Sequence, residues 1–275
     1  MMGSLDNPKA LAGGQSLVPM MNFRYVMPDN IVDLNTVGEL SGIEISGELI
    51  RIGATTRQRE VEFSGVIGAR VPLFHAALAH VGHRQTRNRG TIGGSLAHAD
   101  PSAETPTVLS ALDARIRIAG PRGARDVGME SFNLAFMTTA VEFDEILVGI
   151  EFEPWREGHG YSFQEFARRH GDFAIVGVAA LLSLDAAGRI ARSAISVCGV
   201  GIGPVRLHDA EQALLGQMPT NDVFRHAASV AGEIDATEDF HASNQYRQHL
   251  ARVLTLRALQ EATERCGGVA SRGAQ

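Results

Sequence analysis

Two short stretches of the sequence combine residue types that can hold an anion. Ala12-Gly13-Gly14-Gln15-Ser16-Leu17 and Thr91-Ile92-Gly93-Gly94-Ser95 each set a glycine pair between an apolar approach and a hydroxyl. Glycine lacks Cβ, so such a pair can take positive φ and bring consecutive backbone N–H groups within hydrogen-bonding reach of an anion. Ser16 and Ser95 add hydroxyl donors. A diphosphate suits that set. Either pair alone more often does nothing but turn the chain; two of the same kind, each entered from an apolar stretch, bring a nucleotide level with the turn-only reading.

The second stretch runs on through His98, Asp100, Pro101, Ser102 and Glu104. His98 is open to a flavin or phosphate contact as well as to simple packing. Upstream, Arg84, Arg87 and Arg89 form the one basic cluster, either a solvated loop or a local anion site. His75, His80 and His83 have no carboxylate or thiol completing a set at ligand spacing, and read as packing or surface residues. Gly199-Val200-Gly201-Ile202-Gly203 follows a strand pattern, but Pro204 comes next and no third glycine or downstream acid stands at dinucleotide spacing, so it reads as a connection. There is no phosphate-loop lysine motif, no G-x-S-x-G elbow and no H-E-x-x-H pair, which leaves hydrolysis without support.

Composition narrows the classes. The 275 residues are 44% hydrophobic and 20% charged with a net charge of −6, an ordinary globular balance without a basic stripe for nucleic acid. Two cysteines, Cys198 and Cys266, stand far apart. They suggest a reducing compartment and cannot supply the four thiolates of an iron-sulfur cluster. No apolar run reaches membrane-spanning length and no signal-like start is present, so the expected location is the cytoplasm.

The elements that position the two glycine stretches follow from periodicity. Lys9 to Ala12 reads as a buried strand feeding the first turn, and Asn30 to Asn35 and Leu49 to Ile52 as further strands. Thr55 to Glu62 reads as a short helix with Thr at its start, and Pro72 to Gly82 as a second, with Pro in the first turn and Gly at the stop. Asp100-Pro101-Ser102 offers capping chemistry ahead of a helix whose apolar body is Val108 to Leu112. Arg115 to Ala119 and Glu145 to Phe152 are strands, and Pro154 to Gly158 breaks the pattern as a domain boundary. Beyond it come strands Tyr161 to Arg168, Ala174 to Leu184 and Arg189 to Cys198, then helices Asp209 to Leu215, Asp222 to Ala231 and the amphipathic Ser243 to Arg265. The apolar face of this last helix should pack on the preceding sheet.

At this level the sequence resembles a known family. Residues 11–24 (LAGGQSLVPMMNFR) and 87–106 (RNRGTIGGSLAHADPSAETP) look like the two FAD-binding signatures of the medium subunit of molybdenum hydroxylases, the carbon monoxide dehydrogenase and xanthine dehydrogenase flavoproteins. FARRHGDFAIVGVAALLSL (166–184) and the later CGVGIGPVRL resemble that family's C-terminal flavoprotein domain. Four separated motifs recur in the family's order.

The resemblance implies an α+β chain: a vanillyl-alcohol-oxidase (PCMH)-type FAD-binding domain of two subdomains over residues 1–153, divided near 54/55, then a CO dehydrogenase flavoprotein-like C-terminal domain over 159–268. Carried over by motif, Ala12, Gly13, Gly14, Gln15, Ser16 and Leu17 would hold the FAD diphosphate from one side, and Thr91, Ile92, Gly93, Gly94 and Ser95 from the other. Asp100 would accept hydrogen bonds from ribityl or ribose hydroxyls, with Glu104 nearby. Asp172 and Phe173 would stand near the isoalloxazine ring, Phe173 where relatives often carry Tyr. The implied function is an electron-transfer subunit: FAD takes electrons from an iron-sulfur small subunit fed by a molybdopterin large subunit, in a dimer of heterotrimers, and passes them to an external acceptor. Clusters and molybdopterin are expected on those partners only, and no catalytic side chain or metal site is expected here. The alternatives are a self-sufficient flavin oxidase or dehydrogenase of the same fold, or a flavin-free scaffold subunit. The last is motivated by the start: relatives place a strand and helix before the first glycine turn, and only about ten residues precede it here. A lost outer layer would expose the apolar underside of the first subdomain and weaken FAD binding.

Overall fold

A computed structural model describes residues 2–268. The chain opens with strand β1 (Pro8–Leu11), helix α1 (Leu17–Asn22) and strand β2 (Asn30–Asp33), in which β1 and β2 pair in parallel. β1 is half-buried where the sequence suggested a buried strand, and β2 is the one strand it pairs with among the described residues. Phe23, Tyr25 and Met27 stand out from this unit, each at least 70% exposed.

A hairpin follows, β3 (Ile43–Ser46) and β4 (Leu49–Gly53), then a run of short helices: α2 (Gln58–Phe63), α3 (Gly65–Arg70), α4 (Pro72–Leu78), α5 (Arg84–Arg89), α6 (Ile92–His98) and α7 (Glu104–Ala111). Pro72 opens α4 where its missing N–H costs nothing. Thr55 does not start α2, which begins at Gln58 after an uncapped Arg57. Thr55 and Thr56 instead turn inward, their hydroxyls donating to the carbonyls of Leu40 and Gly42. Strands β5 (Arg115–Gly120), β6 (Gly123–Gly128), β7 (Asn133–Ala135), β8 (Thr138–Thr139) and β9 (Ile146–Phe152) complete this half. Its sheet runs β3-β4-β9-β5-β6, all antiparallel. Period-two alternation sorts the faces. Ile50, Ile52, Ile116, Ile118 and Ile150 are buried beneath the helices, and on the other face Glu151 is held by Arg51 at 2.7 Å and Arg117 at 3.5 Å.

Residues 153–159 carry the chain to a second sheet of β10 (Gly160–Phe166), β11 (Val176–Leu184), β12 (Ile190–Cys198) and β13 (Val205–Arg206), paired antiparallel in that order. Helices α8 (His208–Leu214), α9 (Asn221–Ala231) and α10 (Asn244–Arg265) cover one face. Leu250, Leu254, Ala258 and Leu259 of α10 pack there with Val178, Ala180 and Leu182. The opposite face of β11, Ala179 and Leu181, joins the core of the first half. This sheet is buried on both sides, which explains the unbroken apolar run of β11.

Candidate functional site

The first glycine stretch is a tight turn between β1 and α1. Gly14 has φ +72, a conformation that L side chains rarely adopt. Among the described residues, the N–H groups of Gly13, Gly14, Gln15 and Ser16 donate to no group of the chain. Four consecutive free donors at one turn are what a diphosphate requires. Ser16 is the N-cap of α1 and its hydroxyl makes no cap bond, so it too is free to donate. Gln15 is exposed, and its amide lies 3.5 Å from the Gly13 carbonyl.

The second stretch is built differently from what the sequence suggested. Gly93 and Gly94 lie in the first turn of α6, with helical backbone. Thr91 caps that helix, its Oγ1 accepting from Gly94 N at 3.0 Å. The N–H groups of Ile92, Gly93 and Ser95 go to the carbonyls of Thr56, Ala54 and Thr91. The glycines here serve close approach rather than positive φ. A Cβ on Gly93 would stand 2.6 Å from the Cβ of Ala54, and one on Gly94 2.6 Å from Thr91 Oγ1. What this side can offer a ligand is a smooth backbone surface and the half-buried Ser95 hydroxyl.

The two stretches meet. A Cβ on Gly13 would lie 2.8 Å from Gly90 Cα, so the first turn rests directly on the residue before Thr91. A polar strap holds them together: Asn35 Nδ2 donates to the Ala12 carbonyl at 2.9 Å, while Arg57 donates to Asn35 Oδ1 at 2.6 Å and to the Arg89 carbonyl at 2.5 Å. Asn35 and Arg57 carry no local sequence signature, since neither belongs to a glycine motif. Of the basic cluster, Arg87 is no anion site: it is buried on Glu62, 2.9 Å away, and donates to the Val81 carbonyl.

Beyond α6 the chain turns through Ala99 at φ +53. Asp100 Oδ1 accepts from Ser102 N at 2.8 Å, which bends the connection into α7 without capping it. Glu104 opens α7 and is buried; burial, with the Asp100 charge adding to it, raises its carboxyl to about 7. Burial also lowers His98, opposed by Asp100. The loop from the second sheet reaches this place through its backbone. Gly199 N donates to the Pro101 carbonyl at 2.8 Å, and the buried Arg247 donates to the carbonyls of both Ile175 and Gly199 at 2.6 Å. Gly199 was set aside in the sequence as a mere connection, yet it ties the two halves at the site. Asp172 and Phe173 project from a different loop, the connection between β10 and β11, and Phe173 is 74% exposed. The structure brings the first turn against the residues before α6, and Gly199 against Pro101 with Arg247 joining Gly199 to Ile175, by contacts no single motif reveals.

His75 Nδ1 lies 2.8 Å from the Glu62 carbonyl and His83 packs on His170, both within the protein's own framework. Among the described residues no group of three or more His, Cys, Asp or Glu could hold a metal ion, and no helix is long and apolar enough to cross a membrane.

The free amides of the first turn, packed against the residues leading into α6, form the candidate ligand site. Sequence comparison gives the family: residues 1–155 match the family described as FAD binding domain in molybdopterin dehydrogenase, and residues 161–262 match the CO dehydrogenase flavoprotein C-terminal domain. The chain belongs to the FAD-binding medium subunits of the molybdenum hydroxylases, a family of oxidoreductases. It is 38% identical to the 6-hydroxypseudooxynicotine dehydrogenase complex subunit alpha of Paenarthrobacter nicotinovorans, over 94% of this chain and 88% of that one. It is 32% identical to the carbon monoxide dehydrogenase medium chain of Hydrogenophaga pseudoflava, over 97% and 93%. A solved carbon monoxide dehydrogenase from that organism superposes with a TM-score of 0.94 at 34% identity, covering 97% of this chain and 93% of that one. Quinoline 2-oxidoreductase from Pseudomonas putida 86 gives 0.91 at 34% identity, covering 96% and 92%. The α+β fold and the FAD cofactor expected from the sequence are thereby established, and relatives of this chain are subunits of larger complexes.

Proposed function

We propose that this chain is the electron-transfer subunit of a three-component molybdenum hydroxylase, taking electrons into FAD from an iron-sulfur subunit and releasing them to an external acceptor. The observation that carries the reading is the row of free amides at Gly13 to Ser16 pressed against the start of α6. On this reading Ala12 to Leu17 grip the diphosphate, and Thr91, Ile92, Gly93, Gly94 and Ser95 form the opposing wall. Asp100 faces the hydroxyl-bearing part of the cofactor with Glu104 nearby, and Asp172 and Phe173 stand near its ring. When bound, the flavin supplies the redox chemistry; the chain binds it, orients it and tunes it. Phe173 supplies an aromatic wall without a hydroxyl. The division of labour is supported by the two free cysteines, Cys198 buried and Cys266 half-buried, which leave clusters to a partner and suit a reducing cytoplasm. A molybdopterin subunit and a dimer of heterotrimers complete the proposal, and 1–153 and 159–268 are its two domains.

The test is co-purification with the products of adjacent genes. A yellow protein with stoichiometric flavin that associates with iron-sulfur and molybdenum subunits is expected. A colourless chain that associates with neither would overturn the proposal.

A further inference from the structure

The joint beneath the first glycine turn contains a charge without a counter-charge. Every other buried or half-buried arginine among the described residues stands in an ion pair, as Arg87 does with Glu62, Arg125 with Glu145, Arg206 with Glu211 and Arg247 with Asp239. Arg57 is half-buried and has none. Its two bonded partners are neutral: Nη1 donates to the Arg89 carbonyl at 2.5 Å and Nη2 to Asn35 Oδ1 at 2.6 Å. The other N–H groups of its guanidinium meet no acceptor of the chain among the described residues. A guanidinium carries its charge at any working pH, and taking it partly out of water without an acid is unfavourable unless something else supplies the anion.

Both partners lead straight to the turn. Asn35 passes its own amide on to the Ala12 carbonyl at 2.9 Å. The Arg89 carbonyl oxygen is the atom that a Cβ on Gly13 would meet first. Arg57 therefore stands one layer of residues from the run Gly13 to Ser16, whose backbone N–H groups are also unpaired. The charged groups around it do not cancel it. Asp33, level with Leu11 in the β1–β2 pairing, commits its Oδ1 to Asn35, whose backbone N–H and side-chain amide lie at 2.9 and 2.5 Å. Burial above all, and then the like charge of Arg89, oppose the charge on Arg57, which Asp33 and Glu60 favour from beyond ion-pair range. Arg89 is exposed and has no acid partner of its own among the described residues.

We propose that the diphosphate of FAD is the counter-anion that Arg57 lacks, so that Arg57 is a binding residue of the phosphate site as well as a strut of the strap. The inference rests on the reading that Ala12 to Leu17 grip the diphosphate. The free amides hold phosphate oxygens by short, directed bonds. Arg57, pinned by two neutral acceptors, supplies a charge that is in place before the cofactor arrives, which keeps the ordering cost of binding low. A carboxylate in place of either acceptor would neutralise that charge and compete with the ligand.

Inorganic pyrophosphate is the probe, used on the FAD-free full chain. With the wild-type protein it should raise the thermal unfolding midpoint and compete with FAD in fluorescence titration, and both effects should fade as salt is raised. Neither a shift nor competition would overturn the inference without any variant. Arg57→Gln keeps a donor for a neutral acceptor and removes the charge. It should weaken FAD binding about 10- to 150-fold, flatten the dependence of Kd on salt and abolish competition by pyrophosphate. Arg57→Lys keeps the charge but cannot bridge both acceptors, and should retain most of the salt dependence and the competition. If only the strap matters, both variants lose FAD affinity alike with the wild-type salt dependence, and the inference falls. It falls too if Arg57→Gln binds FAD as the parent does. In that case a weakened Gly13→Ala leaves the reading of the first turn standing, whereas an unweakened one removes that reading as well.

Discussion

Gly13→Ala probes the joint on which FAD binding depends. The added methyl would meet backbone, the Arg89 carbonyl oxygen most closely, then Gly90 Cα at 2.8 Å and the Arg89 carbonyl carbon at 2.9 Å. No rotamer change relieves a backbone contact. Restoring an ordinary carbon separation of about 3.5 Å from Gly90 Cα alone moves the first turn away from the Arg89–Gly90 backbone by about 0.7 Å, and clearing the Arg89 carbonyl oxygen takes more. Overpacking of this kind costs about 1–3 kcal/mol. The cost falls where the two walls of the cradle must approach, and the Asn35–Arg57 strap ties the same segments, so much of it should appear in ligand affinity. That corresponds to FAD binding weakened roughly 5- to 150-fold. The assay is fluorescence titration of the FAD-free protein with FAD, with Gly38→Ala as the control, since a Cβ at Gly38 meets nothing within 4 Å. A Gly13→Ala protein of wild-type fold whose Kd lies within about twofold of the parent would refute the argument that contact between the stretches builds the site.

Three further outcomes are expected. Thr91→Ala removes the cap of α6 and should lower stability by about 0.5–2 kcal/mol in denaturant titration, while Thr91→Ser, which keeps the acceptor oxygen, should retain most of it. Arg206 is bound to Glu211, Asp113 and the Ser110 carbonyl across the two halves, so Arg206→Met should cost about 3–5 kcal/mol by leaving buried acid unpaired, again read by chemical denaturation. Glu145 is held at about 2 by its hydrogen bonds from Arg125. Its depressed value makes a stabilising contribution that is full above the ordinary carboxylate range of about 4.5 and lost as pH falls toward 2. The acid unfolding midpoint of Glu145→Gln should therefore depend less on pH through that window, and an unchanged acid limb would count against the ion pair.

Much of this was legible along the chain because it is local. Pro72, the alternation in β5 and β9, and the long apolar spacing of α10 announce their elements without help from tertiary structure. The helix α6 was hidden by its own glycines, each of which costs about 1 kcal/mol in a helix interior; the clue was Thr91 as a cap with Ile92 and Leu96 at helical spacing behind it. The hairpin strand β3 escaped because Glu44 and Ser46 dilute a run of only four residues. The strap of Asn35 and Arg57 and the tie from Gly199 to Pro101 are products of packing between distant segments, and no window along the sequence contains them.

Strand β11 offers a way to watch this molecule come apart. Its residues answer to two different neighbours by parity: Val178, Ala180 and Leu182 lie with α10, while Ala179 and Leu181 lie with the FAD-binding half. Truncations at odd and even positions therefore weaken different cores without changing strand. If the two halves melt as one, both series should shift a single transition; if they melt in turn, each series should move its own, and β11 becomes a ruler for how cooperatively a flavin-binding half and its docking half are joined.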